Sequence, residues 1–183
     1  MKSKVDKEVT VVVILYRTPK KRIYNLKQYK DFKLIILDQG SLHNSKKKLR
    51  NILGFKFTYY HSKKNLGLSK GMNFLIKKTK TKYCMITEPD ILISKESILN
   101  LKKNIQSNKN FLITSPCFNK NKKLKKFKIL EKIDLSCVLF EKKKMLNFNF
   151  YDEDYFFFLI DIDFIRRVNM SNFEMFESRN SYA

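Results

Sequence analysis

Apolar residues fall in short dense runs separated by basic and polar stretches, and the spacing within the runs switches between two periods. Residues 9–15 are almost wholly β-branched or aliphatic, which predicts a central strand covered on both faces. Shorter runs at 33–37, 55–60, 83–87 and 111–114 predict four more strands. Between them the apolar positions take helical spacing. Ile23, Leu26 and Tyr29 mark a helix within 21–30, and 45–53 reads as a short basic helix. Leu68, Met72, Leu75 and Ile76 stand at i, i+4, i+7 and i+8 in a helix opened by residues 65–73. Ile98, Leu99, Leu101 and Ile105 line a helix over 95–106, for which Ser94 supplies an N-cap hydroxyl. Residues 119–128 are a lysine run expected to be a mobile loop, and 129–140 carry one or two further strands. Strands alternating with helices predict an α/β domain around a largely parallel sheet, spanning residues 1–170. Residues 171–183 show scattered aromatics without a period and are expected to form a short, poorly ordered tail.

Composition narrows the class. A chain of 183 residues, 43% hydrophobic, buries one sizeable core. No apolar run approaches the ~20 residues that a membrane-spanning helix needs. Lysines precede the run at 9–15, but no small-residue cleavage site follows, so that run reads as a core strand rather than a leader. Cys84, Cys117 and Cys137 are odd in number, far apart and set in apolar stretches. That pattern suits buried thiols in a reducing cytosol, not a disulfide or zinc framework. His43 and His61 have no acidic or cysteine neighbour at ligand spacing and receive no role. Lys and Arg number 39 against 17 acids, for a net charge of +22. Such a surface attracts polyanions: nucleic acid, nucleotide-sugar phosphates or an anionic membrane face. The basic residues are spread along the chain and no nucleic-acid module is present, so no specific nucleic-acid partner is expected.

The strand at 83–87 ends in Glu88-Pro89-Asp90. Pro89 has no N–H for a ladder and holds Glu88 extended, so the strand stops at two carboxylates. Open α/β sheets bind ligands at the carboxyl ends of their strands. Paired hard oxygens there suit Mg²⁺ or Mn²⁺ on a substrate's phosphates, although a solvated acidic turn fits the same residues. Asp38 follows the strand at 33–37 and precedes Gly40. It either accepts hydrogen bonds from a nucleotide's base or ribose or forms an Asx turn. Asn65, Gly67 and Lys70 surround a helix start, whose free amides and dipole favour phosphate. The alternative there is a plain helix start with a close-packing glycine at Gly71.

Several blocks together resemble family 2 glycosyltransferases. In order they are Val11-Val12-Val13-Ile14-Leu15-Tyr16, Leu37-Asp38-Gln39-Gly40-Ser41, Asn65-Leu66-Gly67 and Thr87-Glu88-Pro89-Asp90. Tyr151-Asp152-Glu153-Asp154-Tyr155-Phe156 and Asp161-Ile162-Asp163-Phe164, with Arg166 or Arg167 after it, complete the series. The Glu-Pro-Asp block is similar to the Asn-Pro-Asp form of rhamnosyltransferase-like members. The resemblance implies a GT-A-like three-layer α/β fold with a mostly parallel sheet. It also implies inverting transfer of a sugar from a nucleoside-diphosphate donor to a glycan or lipid-linked acceptor. The implied setting is surface polysaccharide or lipooligosaccharide assembly in the cytoplasm, at the inner face of the membrane.

In the family's terms Asp161 matches the catalytic base, and Glu88 and Asp90 match the ligands of Mn²⁺ or Mg²⁺. Asp38, Asn65, Gly67, Lys70 and Glu88 fall in the donor site. Asp161 and Asp163 also fit as first-turn acids on a helix dipole, Asp163 towards Arg166 and Arg167. Two departures matter: Ile160 stands where the family has Glu, and only about sixteen residues follow Arg167, where members continue with a further strand and helices. They support a second reading, a shortened homologue that binds nucleotide sugar or a protein partner without turnover.

Overall fold

The β-branched run at 9–15 lies in β1 (Asp6–Leu15), where Val9, Val11 and Val13 bury on one face of a sheet and Val12 on the other. This is what a strand covered on both sides requires. The computed structural model describes residues 6–40, 45–118, 127–129 and 134–183. Parallel to β1 run β2 (Phe32–Gln39) on one side and β4 (Tyr83–Thr87) on the other, with β3 (Thr58–Ser62) parallel outside β2. Beyond β4 the sheet turns mixed. There β7 (Cys137–Glu141) pairs antiparallel with both β4 and β5 (Phe111–Cys117), β8 (Glu174–Tyr182) lies parallel to β5, and β6 (Phe127–Ile129) closes antiparallel on β8. The order is β3-β2-β1-β4-β7-β5-β8-β6.

Helices cover both faces. Leu26 and Tyr29 from a 3₁₀ turn after α1 (Lys20–Asn25) share one core with Leu49 and Leu53 of α2 (Ser45–Leu53). On the other face lies α3 (Gly67–Lys78), with Met72, Leu75 and Ile76 inward. The first core is completed by Ile98, Leu101 and Ile105 of α4 (Lys95–Ser107), which Ser94 caps by accepting from the Ser97 N–H at 3.0 Å. The second is completed by Met145 of α5 (Lys142–Asn147) and by Ile160, Phe164 and Val168 of α6 (Ile160–Asn169). The three-layer α/β architecture with a mostly parallel sheet is therefore present. No helix among the described residues is long and apolar enough to cross a membrane.

Some local expectations need correction. The helix expected over 21–30 divides into α1 and the 3₁₀ turn. The third strand starts at Thr58 rather than at 55, because Gly54 (φ +73°) ends α2 and residues 55–57 are irregular. Residues 171–183 are not a loose tail: β8 is built into the sheet with Met175 and Phe176 buried. Ser178 and Ser181 in its polar half are buried as well. The Ser178 hydroxyl bonds that of Ser181 at 2.9 Å, and Ser181 donates to the Ser97 carbonyl at 3.0 Å. Within the lysine run, residues 119–126 lie outside the described residues and 127–129 form β6. The three cysteines are buried and unbridged, and burial pushes the Cys84 and Cys137 thiols up to about 12. His61 is exposed on β3, and His43 lies outside the described residues.

The strand order sets the location of the site. From β1 the chain winds outward through β2 to β3, then crosses back to place β4 on the opposite flank of β1. The reversal opens a crevice at the carboxyl ends of β1 and β4, the place where such sheets bind ligands.

Candidate active site

At the end of β4, Thr87 is buried and hydrogen-bonded to the Tyr29 hydroxyl at 3.2 Å. The Glu88 N–H donates to the Ser136 carbonyl at 3.1 Å, tying this strand end to the loop before β7. The turn that follows is held from the first helical layer. Asn25 Nδ2 donates to the Pro89 carbonyl at 3.1 Å, and Gln28 Nε2 to the Ile91 carbonyl at 2.8 Å. Gln28 Oε1 accepts from the Ile93 N–H at 2.7 Å. Arg22 Nη1 lies 3.2 Å from Asp90 Oδ2.

Glu88, Asp134, Ser136, Tyr151, Ile160 and Asp161 line a cleft of about 130 Å³. The structure thus brings together the strand-end acid and the candidate base, which stand seventy-three residues apart in sequence. Partial burial pushes the Glu88 carboxyl up from its ordinary range. Asp90, Asp134 and Asp161 push it the same way, and Arg22 opposes them.

Asp161 and Asp163 occupy the first turn of α6, where carboxylates suit the helix dipole. Their roles separate. Asp163 Oδ2 accepts from Arg167 Nε at 2.8 Å, and Arg167 Nη2 donates to the Phe150 carbonyl at 2.9 Å, so Asp163 is committed to holding the helix. Asp161 is exposed, faces the cleft and forms no ion pair among the described residues. Ile160 is 4% exposed and packs in the second core, so the position where the resemblance expects an acid is a core position here.

Asp38 is nearly buried at the end of β2 and lines a separate cleft of about 600 Å³ with Leu15, Arg17, Lys20, Ile23 and Lys48. That volume suits a nucleoside. Tyr59 donates to Asp38 Oδ2 at 2.9 Å and shares a 2.6 Å hydrogen bond with Ser45. This fixes the carboxylate. Ser41 of the same motif lies outside the described residues.

At the α3 start, where the sequence suggests a phosphate cradle, three backbone amides are taken within the fold. Leu66 N–H donates to Gln39 Oε1 at 2.6 Å, Gly67 N–H to Asn65 Oδ1 at 3.0 Å, and Leu68 N–H to the Phe156 carbonyl at 2.7 Å. Gly67 adopts φ +78°, and a Cβ there would meet the Phe156 carbonyl oxygen at 2.5 Å. Asn65 and Gly67 therefore shape the helix start, and Lys70 is exposed and lines neither cleft.

Sequence reasoning passed over Arg22, Gln39, Tyr59, Asn73 and Asp134. Gln39 and Asn73 are polar residues inside apolar periods, a signal of buried pairing that was there to be read. Asp134 joins the cleft only because β7 returns antiparallel beside β4, which no local pattern announces.

Among the described residues no three carboxylate, imidazole or thiolate groups converge as a ready cage. Mg²⁺ and Mn²⁺ at phosphate sites need only one or two carboxylates, the rest of the shell coming from phosphate and water. Glu88 and Asp90 on one turn supply those two, and the burial and neighbouring carboxylates that raise Glu88 are what a cation offsets. The residues fit a metal shared with a diphosphate.

The sequence profile of the family described as Glycosyl transferase family 2 matches residues 16–168. Among solved structures, the mannosyltransferase PcManGT from Pyrobaculum calidifontis, in complex with GDP-Man and Mn²⁺, superposes with a TM-score of 0.73 at 13% identity. That match covers 92% of this chain and 53% of PcManGT. Residues 1–349 of S. aureus TarS superpose with a TM-score of 0.70 at 12% identity, over 96% of this chain and 60% of that one. Both likenesses are in fold, of the GT-A type, and the chain spans roughly half of each neighbour's length. No curated protein sequence matches the chain.

Proposed function

The chain belongs to glycosyl transferase family 2, and from that premise we propose that it moves a sugar, with inversion, from a nucleoside-diphosphate donor to a glycan or lipid-linked acceptor. One observation carries the reading: Glu88 at the end of β4 and Asp161 in the first turn of α6 face a single cleft at the sheet's switch point. The nucleoside takes the larger cleft, where Asp38 accepts from base or ribose. Its diphosphate then extends along α1 towards Glu88 and Asp90. Glu88 and Asp90 would hold a divalent ion, which would supply charge neutralisation for the departing nucleoside diphosphate. Asp161 accepts the proton of the acceptor hydroxyl as that oxygen attacks the anomeric carbon, on the face opposite the leaving group. Tyr151 and Ile160 wall the cleft with apolar surface, which limits competing water.

Lipid-linked acceptors in surface polysaccharide or lipooligosaccharide assembly, met at the cytoplasmic face of the membrane, suit the surroundings of Asp161. Phe157, Phe158, Leu159 and Ile162 are all more than half exposed beside it. The charge of +22 favours peripheral contact with anionic lipid. Buried Ile160 favours the second reading, binding without turnover.

A thermal-shift screen of nucleoside-diphosphate sugars with Mn²⁺ and with EDTA tests donor binding. At least one donor should stabilise the protein more with Mn²⁺, and Asp90→Ala should remove most of that difference. Equal shifts in EDTA and Mn²⁺ would contradict the metal assignment.

A further inference from the structure

Glu88, Asp134 and Asp161 line one cleft at the end of β4, and Asp90 on the turn that follows is paired with Arg22 at 3.2 Å. Arg22 reaches this cluster from α1, whose Lys20 and Ile23 line the larger cleft beside Asp38. A ligand with its nucleoside at Asp38 and its phosphates at Glu88 and Asp90 therefore passes the Arg22 guanidinium.

We propose that Arg22 is a donor-binding residue that competes with a divalent cation for Asp90 and, once displaced, holds the donor's diphosphate. The inference rests on the nucleotide-sugar reading above and adds a residue to it.

Three features make the exchange physically easy. The ion pair is open to water, with side-chain exposures of 55% for Arg22 and 39% for Asp90, so it is weak and readily broken. The backbone on both sides does not depend on it, because Asn25 and Gln28 hold Pro89, Ile91 and Ile93 by separate hydrogen bonds. Only a side chain has to turn. The guanidinium is also a planar fork that matches two phosphate oxygens at once, whereas Asp90 offers it a carboxylate that a hard dication binds more strongly.

Competition predicts effects of opposite sign, which a merely structural ion pair does not. Calorimetry on the full chain should be run with MnCl₂ alone, then with GDP and with UDP in the presence of Mn²⁺. Arg22→Gln removes the competitor, so Mn²⁺ alone should bind roughly two- to fivefold more tightly. The same variant should bind whichever nucleoside diphosphate the wild type prefers on the order of tenfold more weakly. Arg22→Lys keeps the charge but loses the fork, and should recover only part of the nucleotide affinity. Lys27→Gln, an equal loss of charge on the same segment, should move neither affinity more than about twofold. An Arg22→Gln variant that weakens both ligands together, or changes neither, overturns the proposal and leaves the nucleotide-sugar reading standing. Wild-type protein that binds neither Mn²⁺ nor either nucleotide overturns both.

Discussion

Asn73 holds the main chain of Tyr151 from both sides, donating through Nδ2 to its carbonyl at 2.8 Å and accepting from its N–H at 3.2 Å. The second Nδ2 hydrogen reaches Glu153 Oε1 at 3.0 Å. This ties α3, the crossover from β3 to β4, to the segment that delivers Asp161. The segment needs holding. Asn149, Phe150 and Leu159 all have positive φ without being glycine, a conformation that persists only where surrounding contacts enforce it. The Ser69 hydroxyl adds to the grip by donating to the Tyr155 carbonyl.

Asn73→Ala should therefore be costly for a change of one small side chain. It orphans a buried N–H and carbonyl at Tyr151, which costs roughly 2–4 kcal/mol. Urea unfolding measures it, and a loss below about 1 kcal/mol would show that water replaces the carboxamide.

Gly67 and Gly54 offer a matched comparison. Both have positive φ, but a Cβ at Gly54 meets nothing within 4 Å, while one at Gly67 strikes the Phe156 carbonyl. Gly54→Ala should cost about 1 kcal/mol, the left-handed penalty alone. Gly67→Ala should cost roughly 3 kcal/mol or more, because the backbone at 156 must also shift. Equal losses in denaturant melts would mean that the contact is not rigid.

The sequence made the parallel half legible because its signals are local. Val9–Val13 alternation, the helical spacing from Leu68 to Ile76, and Ser94 before Lys95 each state an element outright. The Pro89 stop put Glu88 and Asp90 at a strand end, where the structure has them. What stayed hidden depends on distant partners. β8 buries Ser178 and Ser181 by pairing them with each other and with Ser97, eighty-odd residues away, so no hydrophobic period marks it. The amides of the α3 start are free in any isolated helix, and only the fold shows Gln39 and Phe156 taking two of them. Asp38 was recognisable as a strand-end acid, but its clamp by Tyr59 from a neighbouring strand was not.

Glu88 should leave a signature in pH. Its raised carboxyl means that the folded chain holds the proton more tightly than the unfolded chain. Its contribution to stability is therefore full below the ordinary value of 4.5 and is lost as pH rises through that value to the elevated one. Glu88→Gln keeps the shape without ionising. In EDTA it should melt higher than wild type at neutral pH, with the gap closing as pH falls below the ordinary carboxylate range. A gap that is absent, or that widens in acid, would contradict the burial and carboxylate crowding described above.

Contact with membranes is testable through charge and the exposed ridge together. The protein should bind vesicles containing anionic lipid at low salt and release as ionic strength shortens the Debye length to below about 10 Å. Phe158 is 80% exposed, and Phe158→Asp should weaken that binding without changing stability. Association with DNA should be weak and indifferent to sequence. Strong DNA binding with preference for one sequence would favour a nucleic-acid role instead.

Asp161 tests the central claim most directly. Asp161→Asn keeps the side chain's size and removes its basicity, so a base acting only as the acceptor attacks should leave donor affinity alone. The measurement is donor turnover, read as transfer or as slow hydrolysis when water replaces the acceptor, alongside nucleotide affinity by calorimetry. Turnover should fall on the order of 10²–10⁴-fold with affinity within about twofold of wild type. Asp163→Asn should instead lower stability through Arg167 and leave most of the turnover. Undiminished turnover in Asp161→Asn would contradict the account.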